Sequence, residues 1–194
     1  MRVVCLGLMS GLVLGFSSAA CADTMRFEII EAGGGKVVLA QGEIAAHSDR
    51  GFRSAMRRAG RGTPVILNSP GGNLAGGVRL GLAFREAGVS VGVAPGGVCL
   101  SACAYALLGG VNRKVLAGGQ FGVHSFATVG RAPGRKPTRR EIEEDREVNR
   151  FLRLYVKSLG VNPELIGLAE ATRNEDMKIL SRKELRRMRV VTGG

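Results

Sequence analysis

Three short pieces decide how this chain reads: Leu67-Asn68-Ser69-Pro70-Gly71-Gly72, Cys99-Leu100-Ser101-Ala102-Cys103 and Gly122-Val123-His124-Ser125. Pro-Gly-Gly marks a hard turn whose main chain another group can approach closely. From Ala102 to Leu108 every residue is small or apolar, which reads as a helix buried on all sides and opening at Ser101. The first turn of a helix leaves N–H groups without partners and carries the positive end of the dipole. The three pieces therefore supply a backbone-donor loop, a hydroxyl beside further donors, and an imidazole. Those are the parts that acyl transfer through a serine requires.

Working outward, Thr63–Leu67 is a short apolar run of buried-strand type that leads into the Pro-Gly-Gly turn. Leu74–Ala87 places Leu74, Val78, Leu82 and Phe84 on a helical pattern with Gly88 as its stop. Val89–Ala94 is the next strand, and Pro95-Gly96-Gly97 turns the chain before Ser101. Asn112–Leu116 and Phe121–Ser125 read as two further strands. Upstream, Met25–Ile30 and Lys36–Gln41 flank Gly33-Gly34-Gly35 as a hairpin, and Ser48–Ala59 is a helix. Downstream, residues 128–140 form a flexible basic loop running into the helix Thr138–Leu159, which opens with a Thr138/Glu141 capping box. Asn162–Ala171 is a shorter helix. Lys178–Leu180, a helix over Ser181–Met188 and the segment Val190–Thr192 close the domain. Strands alternating with helices argue for one α/β domain with parallel strands and flanking helices, and 194 residues suit a single domain.

The first 22 residues are read as a separate leader. Met1-Arg2 is a charged start, Val3–Phe16 a predominantly apolar run, and Ala20-Cys21-Ala22 a small-x-small cleavage site. The run of 14 residues falls short of the roughly 20 that a spanning helix needs. A signal peptide cut after Ala22 is expected, giving a mature domain over 23–194 in the periplasm or secreted, with lipid modification of Cys21 as an alternative. Losing Arg2 leaves 27 Lys+Arg against 16 Asp+Glu, a net charge of +11. Such an excess favours weak contact with an anionic membrane surface. With two Tyr, no Trp and no aromatic interleaving, specific nucleic-acid binding is not expected. After cleavage only Cys99 and Cys103 remain. In an oxidising compartment this pair favours a disulfide bracing the turn at Ser101, two reduced, buried cysteines being the alternative. Neither a metal site nor a cofactor is expected, because a C-x3-C pair without a further His or Cys cluster is a poor zinc site.

From about Lys36 to Thr192 the chain resembles the Clp protease proteolytic subunit family, with its ClpP/crotonase-like spiral fold. The matching pieces are Gly42-Glu43-Ile44, Asn68-Ser69-Pro70-Gly71-Gly72, Ser101 before an Ala-rich helix that ends at Gly109-Gly110, Arg113, His124 at a strand end, and Ile179-Leu180-Ser181. The resemblance implies Ser101 as nucleophile, His124 as general base, and the N–H groups of Gly71 (or Gly72) and Ala102 as the oxyanion hole. It also implies an aspartate that orients the histidine. The aligned position is Met177, so Asp176 is taken for that role with Glu175 behind it. His47, the other histidine, matches nothing.

The expectation is an exported serine hydrolase of the peptidase type, ATP-independent because an exported protein has no ATP-driven unfoldase beside it. Its partners would be a peptide or protein substrate and further copies of itself in a homo-oligomer. The alternative is a catalytically silent binding or scaffold protein of the cell envelope on the same fold. A Ser-His pair and export both argue against an acyl-CoA enzyme.

Overall fold

The computed structural model describes residues 24–126 and 135–193. The expected signal peptide and most of the expected loop lie outside them.

The chain opens with a hairpin of β1 (Arg26–Ala32) and β2 (Gly35–Gln41), then α1 (Ser48–Ala59), β3 (Val65–Asn68), α2 (Leu74–Ala87) and β4 (Ser90–Val93). Next come β5 (Val98–Leu100), α3 (Ala102–Leu108), β6 (Asn112–Val115) and β7 (Gln120–Val123). The last third holds α4 (Arg139–Ser158), α5 (Glu164–Ala171), β8 (Lys178–Ile179) and α6 (Arg182–Arg187). Five strands form one sheet in the order β1-β2-β3-β4-β6, parallel except for the hairpin, and three form a second in the order β5-β7-β8. Among the described residues one β-bridge joins the sheets, where Ser69 N–H donates to Val98 O at 2.8 Å and Leu100 N–H to Ser69 O at 3.1 Å. The domain is therefore a mixed α/β fold with parallel strands and flanking helices.

Local chemistry accounts for the elements that matter to the site. The α1 face carrying Phe52 buries against the hairpin and α2, its ring 6.2 Å from that of Phe27 and 4.7 Å from that of Phe84. Helices α2 and α3 then approach so closely that their glycines have no alternative. A Cβ on Gly77 would lie 2.3 Å from Ala102 O, and one on Gly109 would lie 1.9 Å from Gly81 O. Every residue of α3 is buried, as the run of small and apolar residues requires. The Thr138/Glu141 capping box forms at the start of α4, and Ser181 and Glu184 make a second at α6. Arg139 and Arg140 belong to α4 rather than to a loop, and Arg135 and Arg140 are ion-paired with Glu141 and Glu144.

Arg113 is 3% exposed and has no carboxylate partner among the described residues. Its guanidinium donates to Val190 O (2.8 Å), Arg189 O (3.0 Å), Gly110 O (3.2 Å), Leu108 O (3.4 Å) and Leu159 O (3.5 Å). Those carbonyls lie at or just past the C-terminal ends of α3, α4 and α6, where helix dipoles place partial negative charge.

One reading of the strands needs correction. β5 is present where only a turn was expected. Past α6, Val190 O accepts from Arg113 Nε at 2.8 Å and Thr192 N–H donates to the main-chain carbonyl of Arg113 in β6 at 3.0 Å.

Candidate active site

Ser101 stands between β5 and α3 with φ 55° and ψ −123°. Among the described residues only Ser101 and Arg189 combine a side chain with positive φ. A non-glycine residue is held there only when its surroundings over-determine it, and such positions cluster at functional sites. Here the restraints can be named. Ser101 N–H donates to Gly122 O at 3.0 Å, its carbonyl accepts from Ala104 N–H at 3.0 Å, and the Cys99–Cys103 disulfide spans it with Cα atoms 5.1 Å apart. Both half-cystines are fully buried. A sharp strand-to-helix turn of this kind pushes a serine side chain out of the fold toward a substrate.

The Gly71-Gly72 loop lies against this turn. At Gly71, with φ 112°, a Cβ would sit 2.6 Å from Ser101 Cβ and 3.2 Å from Ala102 N, so no other residue lets the two segments meet. The loop is anchored from behind by Ile44, whose N–H donates to Gly71 O at 2.7 Å and whose carbonyl accepts from Asn73 N–H at 2.8 Å. Gly71 N–H itself donates to the fully buried Ser69 hydroxyl at 3.2 Å. Among the described residues no hydrogen bond takes the N–H of Gly72 or of Ala102. One of these unclaimed donors directly follows Ser101, and the other follows Gly71, the glycine that lies against it. The hydroxyl of Ser69 was not singled out in the sequence, although a Ser directly before Pro-Gly-Gly is a common partner for the turn's own main chain.

His124 follows β7. Strands β5 and β7 are parallel with Leu100 opposite Gly122, so Ser101 and His124 leave adjacent strands at the same, C-terminal end. That end is where open α/β sheets place their ligands. His124 is half-buried, and its Nδ1 atom is buried without a hydrogen-bond partner among the described residues. The ring lines a concavity of about 290 Å³ together with Tyr105 of α3, Asp145 and Asn149 of α4, and Glu170 of α5. Burial, and secondarily the charge of Glu170, push the Tyr105 phenol up to about 12, so it stays neutral at any ordinary pH. Glu170 is ion-paired with Arg153.

The expected orienting acid is not brought to His124. Asp176 is exposed and accepts from Arg173 Nε at 2.8 Å, and Glu175 pairs with the same guanidinium at 3.1 Å. Met177 takes the inward place, for a Cβ on Gly122 would lie 2.9 Å from its Sδ. Residues 174–176 form a turn and bend ahead of β8, with Asp176 N–H donating to Arg173 O at 3.0 Å, and this turn carries the Asp176 carboxylate outward onto the Arg173 guanidinium.

Set beside solved structures, the chain superimposes on a point mutant of ClpP1 from Listeria monocytogenes with a TM-score of 0.57 at 17% identity, covering 77% of this chain and 84% of that one. The fold is ClpP-like. A second match is a point mutant of the 1510-N membrane-bound stomatin-specific protease, with a TM-score of 0.50 at 18% identity over 77% of this chain and 73% of the other. No family model matches the chain, and no curated protein does. At this identity the ClpP-like likeness concerns the fold alone, so the chemistry has to be argued from this chain's own residues. Among the described residues no group of three His, Cys, Asp or Glu stands together as a metal site, and no helix is long and apolar enough to cross a membrane.

Proposed function

We propose that this chain is a serine hydrolase that cleaves peptide or protein substrates, with Ser101 as nucleophile and His124 as general base. The observation that carries the reading is the backbone of Ser101, held at φ 55° between a disulfide and a parallel strand pair that ends at a histidine. His124 removes the Ser101 proton through Nε2, the hydroxyl oxygen attacks the carbonyl, and the imidazolium returns the proton to the leaving amine. The N–H groups of Ala102 and Gly72 meet the charge that develops on the carbonyl oxygen. Gly71 N–H joins them when it exchanges Ser69 Oγ for that oxygen.

The protein acts outside the cytoplasm, in the periplasm or secreted, after cleavage behind Ala22. The charged and apolar start of the sequence and the disulfide both support this. It works without ATP and as a homo-oligomer, an assembly supported by the apolar face of α2 and α4, on which Leu82 is 49% and Phe151 53% exposed. The net positive charge supports loose association with anionic membrane surface. A silent binding protein on the same fold is the second reading, favoured by Met177 standing in the inward place expected of the acid.

Labelling with a fluorophosphonate probe, alongside hydrolysis of a peptide panel, separates the two readings. Ser101→Ala and His124→Ala should each lower turnover by about three powers of ten or more. A Ser101→Ala protein that keeps full hydrolysis refutes the assignment, and a wild-type protein that neither labels nor cleaves leaves the binding role.

A further inference from the structure

A base that accepts a proton at Nε2 must carry its own hydrogen at Nδ1, and the ring must be held so that Nε2 faces the hydroxyl. In this chain Nδ1 of His124 is buried and unpartnered among the described residues, and the β8 side offers the thioether of Met177, a weak acceptor. The partner has to come from elsewhere. Three other elements reach the concavity that His124 lines, through Tyr105 of α3, Asp145 and Asn149 of α4, and Glu170 of α5. Glu170 is committed to Arg153, and Asp145 has a partner of its own. Tyr105 keeps its proton and presents a donor first. Asn149 lies one turn after Asp145 on the same face of α4, is half-buried, and makes no side-chain hydrogen bond among the described residues.

We propose that Asn149 positions His124, its carboxamide oxygen accepting from the Nδ1–H as the site closes on substrate, so that the chain works with a Ser101–His124–Asn149 set. This rests on the reading of Ser101 and His124 given above. An amide fixes the tautomer and the ring plane as a carboxylate does, and it performs that service in papain-like cysteine proteases. Being neutral, it does less to stabilise the imidazolium. Apo hydrogen bonds of this kind are commonly long and tighten only in the complex.

The chain contains two histidines, so a His47→Gln background leaves one imidazole to follow by NMR in the full-length mature protein. In that background Asn149→Asp should raise the His124 pKa by about one unit or more, because a carboxylate would then face the ring. Asp145→Asn and Glu170→Gln, which alter the other charges facing it, should move it less. Asn149→Ala should lower kcat about tenfold or more at unchanged KM. Asn149→Asp should restore kcat and carry the acidic limb of the pH–rate profile upward.

An unmoved His124 titration in Asn149→Asp overturns the proposal, as does a wild-type kcat in Asn149→Ala. If that happens while Ser101→Ala is inactive, only the positioning role falls. If Ser101→Ala remains active while Asn149→Asp still shifts the ring, the contact stands and the serine assignment falls.

Discussion

Removing the Cys99–Cys103 disulfide should slow this protein's chemistry while leaving it folded. The ring it closes has a sequence separation of four, and the chain-entropy relation assigns so small a loop about 2 kcal/mol. For a domain of this size that corresponds to a Tm lower by roughly 4–8 °C. Domains are commonly stable by about 5–15 kcal/mol, so the fold should survive. The same crosslink spans Ser101, whose positive φ costs of order 1–3 kcal/mol to hold. The two quantities are comparable, so without the crosslink the strained turn is no longer secure against relaxed alternatives. If most of the 2 kcal/mol is felt there, the population of the attacking conformer falls by up to about 30-fold. The assay pairs calorimetry with the rate of fluorophosphonate labelling on a Cys99→Ala/Cys103→Ala protein, with reductant-treated wild type beside it. A lower Tm with an unchanged labelling rate would refute the reasoning, since the disulfide would then brace the domain and not the turn.

Gly71→Ala should abolish labelling, because its Cβ would lie 2.6 Å from Ser101 Cβ, whereas Gly77→Ala, 2.3 Å from Ala102 O, should lower Tm by parting α2 from α3; normal behaviour in both would show that the packing of these segments is looser than described. Glu141 and Glu184 should titrate at about 2, held down first by Arg135 and by Lys178 respectively and then by the caps at Thr138 and Ser181. Since these pKa values lie below the ordinary carboxylate value of about 4.3, the stabilisation is present above that pH and is lost as pH falls through about 2. Carboxyl NMR shifts with midpoints near 4.3 would show that neither cap forms.

The legible parts of the fold were those written in local chemistry. The bounds of α1, α2 and α3 follow from an apolar stripe, a glycine stop and an unbroken run of small residues, and the α4 cap follows from Thr138 and Glu141. β5 was hidden because its three residues take strand form only through partners distant in sequence, β7 on one side and Ser69 on the other. The tie between Arg113 and the Val190–Thr192 segment was equally hidden, since no local pattern announces a buried guanidinium that bonds Val190 O or a β6 carbonyl that bonds Thr192 N–H. At the site, Ser101 and His124 were visible as residues in a recognisable order. The outward place of Asp176 was not, because it is set by the turn at 174–176 and by Arg173, ahead of a β8 whose pairing with β7 begins only at Lys178. The i,i+4 row of Asp145 and Asn149 was on view, but which face of α4 turns toward His124 is a fact of tertiary packing.

The buried Arg113 joint has a consequence for behaviour in acid. Desolvation lowers its pKa, as does neighbouring Arg85 to a smaller degree, but a guanidinium begins so high that it remains charged throughout any pH at which proteins are handled. What it grips are carbonyl oxygens, which do not titrate at all. A clasp built on carboxylates opens as protons arrive. This one has no proton-accepting half, so acid can loosen the helix caps and the surface ion pairs while the ends of α3, α4 and α6 stay fastened together. Acidification should therefore fray this protein from its surface inward, with the C-terminal segment among the last parts to come away.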